Sequence, residues 1–229
     1  MKLLTDKELA WSDIVANNSM NRKRKATGVN SYEKDLHFDL VKYLNMCLQQ
    51  TGKASWLDCC CGEGNALLQY AQDVADSGLQ DHVFLTGIDL VNYFQPIPPH
   101  INCLHFKTQS LSDWIPEDRY DLVTCVHGLH YTGDKLRIIT QMLRALADDG
   151  ILLANLDLKN IYLEGDPDHK AVKNLFRENQ LTYNSRRKLL MCKGPRNIPL
   201  PYIYKGADDK AGPNYTGQPV VNSYYTNAL

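Results

Sequence analysis

The stretch that decides the fold is Trp56-Leu-Asp-Cys-Cys-Cys-Gly-Glu-Gly-Asn-Ala-Leu-Leu-Gln-Tyr-Ala71. A short apolar run ends in Asp58, turns at Gly62 and Gly64, and passes at once into a segment of helical period. Such a strand–glycine–helix corner lets backbone come close to a ligand. It also aims the free N–H groups and partial positive charge of a helix start at that ligand. Three successive cysteines, Cys59, Cys60 and Cys61, invite a metal or redox reading. Adjacent residues on a strand and turn diverge, however, and no CxxC partner lies elsewhere, so small side chains filling a tight corner is the expected role.

Working outward, short runs rich in Val, Ile and Leu alternate with helical segments. The runs are ASWLDC, HVFLTGIDL, INCLHFK, YDLVTCV and GILLANLD, with GNALLQYAQDVADSG and TGDKLRIITQMLRALADDG between them. This texture predicts a three-layer, doubly wound α/β fold: a seven-stranded, mostly parallel sheet covered on both faces. A polar helix is expected near 166–179. LTYNSRRKLLMCK and NIPLPYIYK, about the turn signal Gly194-Pro195, read as a C-terminal antiparallel hairpin. The first fifty residues read as helical. Thr5 or Asp6 can cap a segment holding Leu9, Trp11, Ile14 and Val15. Asn30 and Glu33 have capping-box spacing before one helix through DLHFDLVKYLNMCL. The expected division is an N-terminal helical lid over 1–50, a cofactor-binding domain over 51–205, and a tail over 206–229.

Asp89 ends the second strand, 25 positions after Gly64. An acid at about that distance takes ribose hydroxyls in dinucleotide folds, but the third glycine of the nicotinamide fingerprint is absent, since Leu67 stands there. Glu63 in the corner would repel a diphosphate and tolerates a zwitterion better.

Taken together, these segments resemble the class I S-adenosylmethionine (SAM) methyltransferases, small-molecule type, over roughly Ala54 to Asp157. LDCCCGEG resembles motif I, with Cys60 where a glycine is common. GIDL resembles the acidic motif II, KTQSLSDW lies where adenine is held, and YDLVTCVHGLHYTGD resembles motif IV. RALADDGILLANLD resembles the run leading into the fifth strand. The resemblance implies SAM as cofactor, with Asp58, Cys60, Gly62, Gly64, Asp89, Leu90, Gln109, Ser110, Cys125 and Tyr32 contacting it. Gln109 replaces the usual acid, so its amide oxygen would accept from the adenine amino group. His130 or His127, just past the fourth strand, would accept a proton from a hydroxyl or ammonium acceptor. The implied activity is O- or N-methylation of a small molecule or natural-product intermediate. Two alternatives share the motifs: an enzyme that consumes SAM without moving its methyl, and a nucleic-acid methyltransferase.

The totals narrow the field. With 229 residues, 44% hydrophobic and 22% charged, the chain can build a substantial core. A net charge of −1 gives no field that would steer it onto nucleic acid. The basic run Arg22, Lys23, Arg24 and Lys25 reads as a solvated face. No apolar run approaches a membrane span, and seven cysteines without framework spacing suit reduced thiols in a cytoplasm. Tyr202, Tyr204, Tyr215, Tyr224 and Tyr225 either line an acceptor pocket or pack on the hairpin. The oligomeric state is not legible.

Overall fold

The computed structural model describes residues 2–16 and 23–228. Five strands run parallel: β1 (Ala54–Cys59), β2 (Val83–Asp89), β3 (Leu104–Thr108), β4 (Tyr120–Cys125) and β5 (Leu146–Asn155). With β7 (Thr182–Asn184) and β8 (Leu189–Lys193) they form a seven-stranded sheet in the order β3-β2-β1-β4-β5-β8-β7. β8 is antiparallel to both of its neighbours. A second sheet has the order β6-β10-β9, from β6 (Ile161–Leu163), β9 (Tyr202–Asp208) and β10 (Asn222–Asn227).

Alternation along β1 shows why the sheet is covered on both faces. Leu57 and Cys59 enter one apolar cluster with Ile138 and Met142 of α6 (Lys135–Arg144) and Tyr225 of β10. Trp56 enters another with Leu40 and Leu44 of α4 (Leu40–Thr51) and Leu67 and Tyr70 of α5 (Asn65–Asp76). Both sets are essentially fully buried, as a two-sided parallel sheet requires.

The antiparallel hairpin exists, but its turn lies at 185–188, between β7 and β8, instead of at Gly194-Pro195. Asn184 closes that turn by accepting from the amides of Arg186 and Arg187. The second expected arm instead supplies β9, which crosses the 205/206 boundary and pairs with β10 in the smaller sheet. The polar helix is α7 (Lys170–Glu178).

The N-terminal region is more broken than its periodicity predicts. Thr5 caps α1 (Asp6–Leu9) in a capping box with Glu8, but the helix ends after one turn, and α2 (Asp13–Ala16) follows. Trp11 between them is exposed. The long helix expected after Asn30 is split. Ser31 caps α3 (Tyr32–Leu36), His37 adopts a left-handed conformation at φ 51°, and Asp39 caps α4 afresh. A side-chain acceptor at Asp39 offers the Lys42 amide a partner at 2.9 Å, which lets a new helix start where the stripe alone predicts continuation. No described helix is long and apolar enough to cross a membrane.

Candidate active site

A cavity of about 830 Å³, including its open mouth, lies beyond the carboxyl ends of β1, β2 and β4. This is where open α/β sheets bind ligands. Its floor is the corner after β1. Gly62 donates its amide to Asp89 Oδ2 at 2.8 Å, and Val91 donates to Asp89 Oδ1 at 3.2 Å. The two ends of the crossover are thus joined directly. The Gln109 amide donates to the Asp89 carbonyl at 2.8 Å, which brings the segment after β3 to the same wall. Of the residues expected at a cofactor, Cys60, Gly62, Asp89, Leu90, Gln109 and Ser110 line this cavity, and so does His127.

The others lie behind it. Asp58 is fully buried, accepting from Tyr32 OH at 2.7 Å and from Thr124 Oγ1 at 2.6 Å. Thr124 in turn accepts from Trp56 Nε1 at 2.8 Å. Burial pushes the Asp58 carboxyl up to about 7, against the pull of its two hydroxyl donors. Asp58 and Tyr32 therefore form a buried relay that ties α3 to the sheet beneath the cavity. Gly64 (φ 75°) begins α5 with the Phe106 ring directly against it. Cys125 is buried and Cys60 half-buried beside Gly128, where a Cβ would stand 2.4 Å from Cys60 Cβ.

The three cysteines diverge. Cys59 packs in the cluster on the α6 face and Cys61 in the cluster on the α5 face, while Cys60, at φ 59°, turns toward the cavity. Burial pushes the Cys59 and Cys61 thiols well up. For Cys60 the larger cause is its hydrogen bond with Cys125. Glu63 is turned aside, accepting from Gln95 Nε2 at 2.8 Å and Asn65 Nδ2 at 3.3 Å.

The two histidines differ sharply. His130 is buried away from the cavity, with Nε2 3.3 Å from Tyr215 OH, and burial pushes it down to about 3. His127 follows β4 in a left-handed conformation at φ 59°. Its amide donates to Asn155 Oδ1 at 3.3 Å, and its side chain is 7% exposed. His127 Nε2 stands 3.5 Å from Asp35 Oδ2, an oxygen that also takes the Arg24 guanidinium. Arg24 is consequently no part of a solvated basic face; Arg22, the first of that run, lies outside the described residues.

Sequence reasoning expected a lid over 1–50 but did not single out the residues of it that reach the cavity. Asp6, Leu9, Ala10 and Val15 roof the cavity. Leu4 and Ala207 exchange backbone hydrogen bonds at 2.8 Å, and Tyr204 OH donates to Asp6 Oδ1 at 3.0 Å. Asp6 Oδ1 lies where a side chain on Gly133 would be, 1.8 Å from the Cβ position. Of the tail tyrosines, Tyr204 and Tyr225 pack in the α6-face region and Tyr224 stacks on Tyr162, while Tyr215 lies edge-on to His130.

The family model of a methyltransferase domain matches residues 11–188. The chain belongs to the methyltransferase-domain family. No curated protein matches it. Among solved structures, the DszA carbon methyltransferase is 16% identical, at a TM-score of 0.46 over 56% of this chain and 36% of that one. The plantazolicin methyltransferase BpumL, in complex with S-adenosylhomocysteine (SAH), is 17% identical, at 0.41 over 52% and 46%. The N-methyltransferase NodS from Bradyrhizobium japonicum WM9, also in complex with SAH, is 16% identical, at 0.41 over 75% and 94%. This methyltransferase chain spans less than half the length of the first two.

The cofactor of such a domain is SAM, and the cavity fits it. Among the described lining residues there are two carboxylates, Asp6 and Asp89, and neither Lys nor Arg. That lining suits a nucleoside with a net positive charge and would repel a diphosphate. Asp89 can accept from a ribose diol, Gln109 and Ser110 offer polar edges to adenine, and Leu90 and Leu111 offer it apolar walls.

Proposed function

We propose that the protein is a SAM-dependent methyltransferase acting on a small-molecule or natural-product acceptor at oxygen or nitrogen. The observation that carries this reading is the Asp89 carboxylate closed on the Gly62 amide at the cavity floor. Bound there, SAM supplies a methyl carbon on a positively charged sulfur, with the activation already built into the cofactor. The protein's share is to align the acceptor, exclude water and receive a proton. His127 is the group we assign to that last task, because it lines the cavity and His130 does not.

A small acceptor is supported by the roof that Leu9, Ala10 and Val15 make over the cavity. Leu9 packs with Ala207 and Val221, so the N-terminal segment acts as a lid seated on the smaller sheet. A nucleic-acid strand would want phosphate-binding cations along the mouth, and the described lining offers none. All seven cysteines are free thiols, which suits the reducing cytoplasm.

Titration calorimetry tests the assignment. SAM and SAH should both bind, and Asp89→Ala should weaken each by about 10–100-fold, the scale of one or two charge-assisted hydrogen bonds. A wild type that binds neither ends the reading. Release of methylthioadenosine from SAM alone would turn it toward SAM consumption without methyl transfer.

A further inference from the structure

We propose that Asp35 is the positioning residue of this site: its carboxylate holds one ring nitrogen of His127 so that the other is offered, unprotonated, to the acceptor. The inference rests on the methyl-transfer reading and deepens it, by adding a residue from the N-terminal fifty to the proton-transfer apparatus.

Three observations converge. First, His127 lines the cavity with its side chain nine-tenths buried, and neither ring nitrogen has a hydrogen-bond partner among the described residues; Nε2 has only the nearby Asp35 carboxylate, and Nδ1 has not even that. A buried ring nitrogen without a partner is costly unless something that binds there supplies one. Second, Nε2 faces the Asp35 oxygen at 3.5 Å, an ion-pair distance that is still looser than an aligned hydrogen bond. Third, Asp35 remains an anion. Burial works to raise its carboxyl, but His127 and the Arg24 guanidinium outweigh that and hold it below the ordinary range.

The consequence follows from imidazole chemistry. The neutral ring carries one N–H and one lone pair, and its neighbours decide which nitrogen has which. An ionised carboxylate only accepts, so beside Asp35 the proton belongs on Nε2 and the lone pair on Nδ1. In the reaction the acceptor's O–H or N–H proton passes to Nδ1, and the electron pair it leaves behind forms the bond to the methyl carbon. The carbon–sulfur pair returns to sulfur, so the positive charge lost there reappears on the His127 imidazolium, next to Asp35. Arg24, on the same oxygen, balances the carboxylate before the proton arrives.

Asp35→Asn is the decisive variant, since an amide can donate to Nε2 and favour the wrong tautomer. In protein labelled with ¹⁵N-histidine, with His127→Gln used for assignment, wild-type His127 should show the Nε2–H pattern without any ligand. Asp35→Asn should lose that pattern. With SAM and a panel of phenols and secondary amines, turnover should fall about 10²–10⁴-fold, the usual contribution of general acid–base catalysis, with the upper end that of an amidated orienting aspartate. SAH affinity and acceptor KM should stay within a few-fold. Asp35→Glu should restore part of the rate. Arg24→Met, which removes the other partner of Asp35, should keep the tautomer and so separates positioning from mere anchoring of α3. An unchanged His127 pattern in Asp35→Asn, or turnover within two-fold of wild type, overturns the proposal. If wild type binds no SAH, the methyl-transfer reading fails, and the nitrogen spectra still decide whether Asp35 sets the tautomer.

Discussion

Replacing Gly64 with alanine probes what the second glycine of the corner is for. Gly64 sits at φ 75°, and a Cβ there would stand 2.2 Å from Phe106 Cζ and 2.4 Å from Cε1. The ring has little room to retreat, because it is stacked on Phe94 with centroids 4.5 Å apart. Two costs add. A left-handed alanine is strained by about 1–2 kcal/mol, and overpacking against a held ring costs about 1–3 kcal/mol. The total, about 2–5 kcal/mol, corresponds to a drop in Tm of about 4–20 °C for a chain of this size. Urea denaturation followed by circular dichroism measures it. The diagnostic step is a double-mutant cycle with Phe106→Ala. The strain belongs to Gly64 alone and should persist, while the clash should vanish, giving a coupling of about 1–3 kcal/mol in favour of the double variant. Strict additivity, or a single variant as stable as wild type, would refute the packing role and return Gly64 to the ligand.

Other consequences are equally accessible. Because the Asp58 carboxyl is raised to about 7 in the fold, its stabilising contribution is complete below about pH 4 and is lost as pH rises to 7. The loss amounts to at most about 4 kcal/mol, three pH units at about 1.4 kcal/mol each. Urea midpoints measured from pH 4 to 8 should show this fall in wild type and a flatter profile in Asp58→Asn; parallel profiles would remove Asp58 as its source. The histidines should separate by phenotype. His127→Ala should lower turnover about 10²-fold or more with SAH affinity nearly intact. His130→Ala should chiefly lower the melting temperature, since it loses buried packing and the Tyr215 contact. The reverse pattern would exchange their roles.

Much of the sheet and of the corner after β1 was legible in the sequence because its determinants are local. Strands buried on both faces read as apolar runs, and a glycine corner between strand and helix reads directly. The second strand ends in an acid, Asp89, whose carboxylate accepts the Gly62 amide across the corner. The N-terminal helices and the hairpin turn were harder. Their apolar stripes continue across His37–Asp39, and a proline turn signal at Gly194-Pro195 outweighs the plainer Ser185–Lys188 in any local reading. What ended those elements were side-chain caps and sheet pairing, which periodicity does not encode.

By itself, then, the chain's order of residues determined the parallel five-strand body and the corner of Gly62 and Asp89, since both follow from short-range pattern and backbone sterics. Only tertiary structure decided which of two histidines three residues apart faces the cavity, that Asp35 stands against it, and that Phe106 fills the space under Gly64. It also decided that Asp6 and Leu9 roof the site. Those contacts join residues tens to nearly two hundred positions apart, and their energies exist only once packing has brought the partners within a few ångströms.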